Sequence, residues 1–504
     1  MKQRIGKAGA AAAVLLAFGA MYAWRFRYAG PFAGTWDTVD FAMALSRFDL
    51  LEMQPHFPGY PYFILGGMLV HNFVENPARA LSIFNVLMSL SSCIPVYWLA
   101  RRKLPPISAG LLCLAVQGLS YNGLLAAGPM SEGTALAVLW WYLWSLVAAM
   151  ESRKWTAGLL PLFLFGLLMG VRLSYAAFGA GLLFPAYTVW KRGTAGRAAV
   201  RLVFLGAAGL LFQLIWITGL AYTEGGYLPF FKLAVQFTGG HFNDWGGAVT
   251  SSGYGLGERL VQLAVNVIWA GVLGSSVWSA VFLLCALTGG LLIRKNSSFN
   301  RALVKQNMPD LMMLSVMGLY LTYAYFAQNV DKPRHIMPVV VMGVWFAGGW
   351  LLRRLQHRPE ARRQRVRTAA GASAALFLVC QLGAGAALVR EQYTEKPASY
   401  QLTAELERME AEEGNLLVFA WEEDRVMKYL QAGFEHKRVF TWDFFKAEAA
   451  ERKEARILLT GEVVRGFEEQ GIDMAPNIRK IREFRSNQLV DPVYHYIVLY
   501  EWIP

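Results

Sequence analysis

Residues 79–103 read Arg79-Ala-Leu-Ser-Ile-Phe-Asn-Val-Leu-Met-Ser-Leu-Ser-Ser-Cys-Ile-Pro-Val-Tyr-Trp-Leu-Ala-Arg-Arg-Lys103. As a helix, the run up to Ala100 would extend about 33 Å, the thickness of a hydrocarbon core. It stops at three successive cations, the signature of a span end held on the cytoplasmic side. The same pattern recurs along the chain. Apolar stretches fall at about 8–24, 79–100, 106–125, 131–150, 156–170, 174–190, 202–221, 276–293, 309–327, 335–352 and 369–389, which makes eleven spans. Basic clusters at Lys2–Lys7, Arg101–Lys103, Arg153–Lys154, Lys191–Arg201, Arg294–Lys305 and Arg353–Arg367 separate them. With the N-terminus inside, every cluster lands in the cytoplasm and residues 390–504 land outside.

Composition agrees. Hydrophobic residues make up 55% of the 504 and charged residues only 16%, which a soluble globular chain seldom combines. Of the 48 Lys+Arg and 35 Asp+Glu, residues 391–504 hold 15 and 22, leaving 33 and 13 for residues 1–390. A basic membrane part, residues 1–390, therefore precedes an acidic soluble part. The net charge of +13 does not argue for nucleic acid, because the excess sits at helix ends where the positive-inside rule places it. Cys93, Cys113, Cys285 and Cys380 all lie in apolar blocks, so no disulfide framework or zinc pattern arises. Arg25-Phe-Arg27 is a poor small-residue cleavage site, so the first apolar run reads as an uncleaved span.

Two long outer loops follow from this topology, at about 25–78 and 222–258. The second is Gly-rich (Gly225, Gly226, Gly239, Gly240, Gly246, Gly247), which predicts a mobile segment. The block at 57–74, studded with Pro and Gly, reads as a surface or partly embedded helix, and 259–275 is similarly ambiguous. Residues 156–190 cross an even number of times, as two short helices meeting near Gly170–Ser174. In residues 391–504, strand-like runs at 415–420, 456–460 and 496–500 alternate with helical runs at 399–413, 422–432 and 443–454. That predicts a small extracytoplasmic α/β domain.

Polar residues concentrate on the predicted outer side. Trp36-Asp-Thr-Val-Asp-Phe-Ala-Met-Ala44 puts Asp37 and Asp40 on one helical face. Such a pair suits a general base, alone or metal-assisted, for activating a hydroxyl; it equally suits a helix cap plus a solvated acid. Gln54-Pro-His-Phe-Pro-Gly-Tyr-Pro-Tyr62 is a stiff turn carrying His56 and Tyr60, either holding polar groups against a headgroup or simply leading into the next helix. Glu132 opens the span at 131, Arg172 and Ser174 lie in a turn, and Asp331-Lys-Pro-Arg-His335 joins two late spans. Lys332, Arg334 and Arg172 run against the positive-inside trend and point to an anion site; Asp331 and lipid headgroups could instead neutralise the loop cations. No Walker loop, dinucleotide glycine pattern, HExxH or nucleophile elbow is present, which argues against ATP-driven transport.

The order of these pieces resembles the GT-C superfamily of polyprenyl-phosphate-sugar glycosyltransferases, nearest the bacterial protein O-mannosyltransferase-like branch. That branch carries Asp-x-x-Glu-Phe followed by His-Pro-Pro-Gly-Tyr-Pro. Asp37 matches its first acid, and Asp40 stands where it has Glu. His56, Pro58, Gly59, Tyr60 and Pro61 match the turn, with Phe57 for the first proline; Glu132 matches the acid of the fourth span, and Arg172 stands where a histidine is common. The resemblance spans roughly residues 8–350. It implies inverting transfer of a sugar from a polyprenyl-phosphate donor to an acceptor hydroxyl of a protein, lipid or envelope glycan. Asp37 would be the base, with Asp40 a second candidate or a ligand of a divalent metal such as Mg or Mn. Arg172, Lys332, Arg334 and His335 would bind the donor phosphate, and His56, Tyr60 and Glu132 would position substrate. Two other classes fit the composition. A lipid-linked-sugar transporter or flippase predicts internal repeats and mid-membrane polar groups; a non-catalytic envelope-assembly protein predicts a dispensable Asp37.

Overall fold

The computed structural model describes residues 2–243, 247–250, 253–293, 308–356, 361–452 and 454–503. The Arg294–Lys305 cluster, Asp244 and Gly246 lie outside the described residues. Among those described, seven helices are long and apolar enough to cross a membrane: Ala8–Arg27, Pro77–Arg101, Glu132–Glu151, Ala195–Thr223, Met308–Ala327, Pro333–Gln356 and the stretch Gln364–Glu413. The number becomes nine if two bent pairs each count as one span. Pro106–Gln117 meets Ser120–Ala126 at 70°, and Leu256–Val272 meets Val277–Leu292 at 88°. Leucines and valines such as Leu15, Leu16, Val200, Val203 and Leu210 stand exposed along these helices, the lipid-facing side of a membrane bundle. Their opposite faces pack into a core around Tyr142, Leu146, Val316 and Val340. All four cysteines are free.

The stretch 156–190 is the helix Leu159–Val171, an extended residue at Arg172, a 3-10 segment Leu173–Leu182 and the helix Leu183–Arg192. Residues 222–258, expected as a Gly-rich loop, are not irregular throughout. They contain a helix, Tyr227–Asn243, whose Phe230 is buried and whose Phe237 stacks on His56 at 6.0 Å between ring centroids. Gly239 and Gly240 are ordinary helical positions there; the apolar residues preceding them, packed against the 54–60 turn, decide the conformation.

The chain between Arg27 and Pro77 folds over one end of the bundle. Thr35 and Thr38 form a reciprocal cap that starts the helix Trp36–Ala44. The turn that follows ends with Gly59 at φ +88° and Tyr60 at φ +46°, a left-handed pair that reverses the chain before Pro61 opens the helix Pro61–His71.

The C-terminal region is a five-stranded sheet flanked by helices. Strands β1 (Leu416–Ala420), β2 (Glu435–Arg438), β3 (Arg456–Thr460), β4 (Ile478–Arg485) and β5 (Tyr496–Trp502) lie in the order β2-β1-β3-β5-β4. β1 runs parallel to β2 and β3, and β5 is antiparallel to β3 and β4. Helices Ala398–Glu413, Glu423–Tyr429, Trp442–Glu451 and Gly461–Glu469 cover it. This unit is seated on the bundle: Val426, Tyr429, Leu430, Leu489 and Val490 join the same apolar cluster as the membrane helices. Gly34 passes so close to Pro397 that a Cβ there would sit 2.7 Å from its ring.

Candidate active site

Two hydrogen-bonded groups share the space beneath the C-terminal domain. The first is an ion cluster. Asp37, in the first turn of Trp36–Ala44, accepts from Arg334 Nη2 at 2.6 Å. Arg334 sits on the 3-10 turn Pro333–Ile336 and brings its Nε within 2.9 Å of Glu132 Oε1. Arg172 Nη2 approaches the same oxygen at 3.0 Å, while its Nη1 donates to Ser131 Oγ at 2.8 Å. Glu132 is fully buried. Its contacts are close in charge terms but poorly aligned, and neither carboxylate oxygen receives a well-formed hydrogen bond. A buried acceptor in that condition is a place for a donor from outside the chain.

The second group is a relay. Asp40, completely buried, is held from both sides: His56 Nδ1 lies 3.0 Å from one oxygen, and Arg425 Nε donates to the other at 2.9 Å. The far nitrogen of His56 meets Tyr60 Oη at 3.0 Å. Arg425 belongs to the helix Glu423–Tyr429 of the C-terminal domain, and it also donates to the carbonyls of Glu52 and Met53 at 2.9 and 2.8 Å. Its guanidinium lies 5.5 Å from the ring of Trp36, on which Arg438 stacks at 4.6 Å.

The electrostatics of the two acids differ. Burial pushes the Asp37 carboxyl up, but Arg334, with His56, Lys332 and Arg172, outweighs it and holds the group well below the usual carboxylate range. Asp37 is therefore an anion at neutral pH, and its side chain keeps 30% of its surface open. Burial of Asp40 dominates over His56 and Arg425, so its carboxyl is raised. Lys332 is pushed down by burial and by Arg334.

The structure thus brings Asp37, Glu132, Arg172 and Arg334 into one cluster, with Lys332 beside it, and Asp40, His56 and Tyr60 into the adjoining relay. His335 is turned to its own loop: its ring meets the Asn329 carbonyl at 3.1 Å, and its main-chain carbonyl accepts from Tyr320 Oη at 2.6 Å. Both oxygens of Asp40 are taken by protein donors, and among the described residues no group of three His, Cys, Asp or Glu is placed to hold an ion. Three participants come from the C-terminal domain and escaped the sequence reading: Arg425, Glu422 and Asp491. Burial raises Glu422, whose charge is felt by Lys332 and Asp37. Asp491 is 3% exposed; one oxygen accepts from the Tyr494 amide at 2.9 Å and the other has no partner. Burial lifts its carboxyl to about 7 against the pull of Arg334 and Lys332.

A helical membrane bundle with its acids at one end, capped by a small α/β domain, is the GT-C fold. The chain is a multi-pass membrane protein of that fold. It superposes on ArnT from Cupriavidus metallidurans in the apo state with a TM-score of 0.57 at 12% identity, covering 98% of both chains. The same protein bound to undecaprenyl phosphate gives 0.56 at 13% identity, over 97% of this chain and 98% of that one. Residues 54–218, from the Pro-His-Phe-Pro-Gly-Tyr turn through Glu132 and Arg172, match the dolichyl-phosphate-mannose-protein mannosyltransferase family. No curated protein matches the chain by sequence.

Proposed function

We propose that the protein transfers a sugar from a polyprenyl phosphate to an acceptor hydroxyl on the extracytoplasmic face, with inversion at the anomeric carbon. The observation that carries this reading is Asp37: an ionised carboxylate left partly open at the rim of a buried cluster rich in cations. The acceptor O–H gives its proton to Asp37 while its oxygen bonds to the anomeric carbon. The bond from that carbon to the phosphate oxygen breaks, and its electron pair leaves on the polyprenyl phosphate. Arg334, Arg172 and Lys332 receive that charge. Arg334 masks the base while it is shared between Asp37 and Glu132. A phosphate competing for Arg334 unmasks Asp37 and raises its proton affinity towards a working range. The free oxygen of Glu132 and Tyr60 are placed to orient sugar hydroxyls.

The matched family's name supports a mannosyl group, and the ArnT complex with undecaprenyl phosphate supports a polyprenyl carrier. The acceptor is a protein, a lipid or an envelope glycan. The basic clusters favour the outer face for the site, and a reporter fused to the C-terminus should then be active outside the cytoplasm. The functional test is transfer of labelled sugar from polyprenyl-phosphate donors in membranes containing the protein. Arg334→Ala should slow it roughly 10–1,000-fold at unchanged protein level. Passage of intact lipid-linked sugar across vesicles, with no sugar transferred, would replace the enzyme reading by a transporter.

A further inference from the structure

A cavity of about 350 Å³ opens far from the acids. Ala149 and Ser152 line it, at the end of the helix Glu132–Glu151 whose first residue belongs to the ion cluster. Twenty residues of helix separate the two sites by about 30 Å. Gly158 and Leu162 line it too, near the start of the helix Leu159–Val171 that ends against Arg172.

The wall is apolar: Leu162, Leu182, Leu183, Pro185, Leu202 and Leu205. The rim is cationic, with Arg153, Lys154, Arg192 and Arg201, and no Asp or Glu lines the cavity. Arg192 is fixed by donating to the main-chain carbonyls of Met150, at 2.8 Å, and Ser152. Among the described residues, the side chains of Arg153, Lys154 and Arg201 have neither an ion pair nor a hydrogen bond. Glu151, the adjacent acid, is already paired with Arg102. Tyr187 and Trp190 stand exposed nearby, as aromatic side chains do at the level of lipid headgroups, and Val200 and Val203 face outward beside them.

Four cations over a leucine wall, without a carboxylate, require an occupant that is both anionic and apolar. We infer that this cavity binds an anionic phospholipid, its phosphate among Arg153, Lys154, Arg192 and Arg201 and an acyl chain along Leu162 and Leu205. A soluble phosphate would leave the leucine wall wetted, and a zwitterionic lipid would bring its own cation into the rim. The inference rests on neither the transfer chemistry nor the orientation of the chain.

The experiment uses the full-length protein in detergent micelles doped with phosphatidylglycerol or phosphatidylcholine. Retained lipid is counted by native mass spectrometry and thermal unfolding is followed in parallel. The wild type should retain phosphatidylglycerol preferentially and unfold at a higher temperature with it. The triple substitution Arg153→Gln, Lys154→Gln, Arg201→Gln should weaken retention roughly fivefold per cation removed. Leu162→Trp, which fills the cavity without touching a charge, should lose the same lipid and keeps the test open if the triple variant accumulates poorly. Equal retention of both lipids, or unchanged retention in Leu162→Trp, overturns the inference. Displacement of phosphatidylglycerol by millimolar inorganic phosphate would make this a soluble-anion site and overturns it equally.

Discussion

Asp37 and Asp40 sit three residues apart on one short helix, yet they look into different regions of the molecule. Asp37 faces the membrane helices, where Arg334 links it to the buried Glu132 at a partly open rim. Asp40 faces the C-terminal domain, where Arg425 and His56 occupy both its oxygens in the dry interior. Spacing alone offers them as a pair on one helical face, and only the family resemblance prefers Asp37 as the base. Their neighbours separate them: one is a low-pKa anion in contact with solvent, the other a buried charge that ties two folding units together.

The strongest way to break this contrast is Asp37→Asn. Loss of the base should cut single-turnover transfer by roughly 10³-fold while expression and thermal unfolding stay near wild type. If more than a tenth of the activity survives, the base is elsewhere and the two acids must be reassigned. Arg425→Ala tests the other half. It leaves Asp40 buried with only His56, at a cost of roughly 3 kcal/mol in unfolding free energy. Combined with Asp40→Asn, the losses should be clearly less than additive; strict additivity would show that the two side chains do not act as a pair. The smallest effect concerns Asp491, which sharpens the contrast by asking whether a second buried acid of the C-terminal domain is held neutral. Its carboxyl titrates near 7 in the folded protein and near 4 when unfolded, so the folded state holds the extra proton between those values. Its contribution to stability is full below pH 4 and declines as pH rises to about 7. Asp491→Asn should therefore stabilise the protein by on the order of 1–2 kcal/mol at pH 8 and by little at pH 4. A midpoint shift that is the same at both pH values would show that folding does not raise the titration of this carboxyl.

Legibility followed physical range. The turn from Gln54 to Tyr62 is written in Pro and Gly, whose backbone restrictions act locally. The Arg172 and Arg334 cations stand out because an arginine beside an apolar run breaks a charge pattern visible along the chain. Arg425 offered no such contrast. In a domain with 22 acids and 15 basic residues, only the folded arrangement distinguishes it from Arg438 or Arg452. The same holds for the strands. β1, β3 and the core of β5 are apolar runs, but β2 is four polar residues and β4 reads Ile-Arg-Lys-Ile-Arg-Glu-Phe-Arg. A register shift between Lys480 and Arg482 breaks the alternation that would have marked β4 as a strand with one buried face. The helix Tyr227–Asn243 was obscured by its glycines, whose local preference yielded to packing against Phe57 and His56.

The helix Ala361–Thr394 has a mechanical consequence. Its 34 residues extend about 51 Å, some 20 Å more than a hydrocarbon core; the surplus is shared between the basic end at 361–368 and the last turn and a half, 390–394, on which the C-terminal domain is carried. Near the top, Gln392 is pinned to the Ala127 carbonyl at 2.9 Å and Glu391 to Asn487. A rod of this kind meters both height and azimuth. One residue inserted into its upper turns would swing everything beyond it by about 100° and raise it 1.5 Å, carrying Arg425 out of reach of Asp40. Seven would restore the heading but lift the domain clear by about 10 Å. The residue count of this mast thus sets where Arg425 stands relative to Asp40.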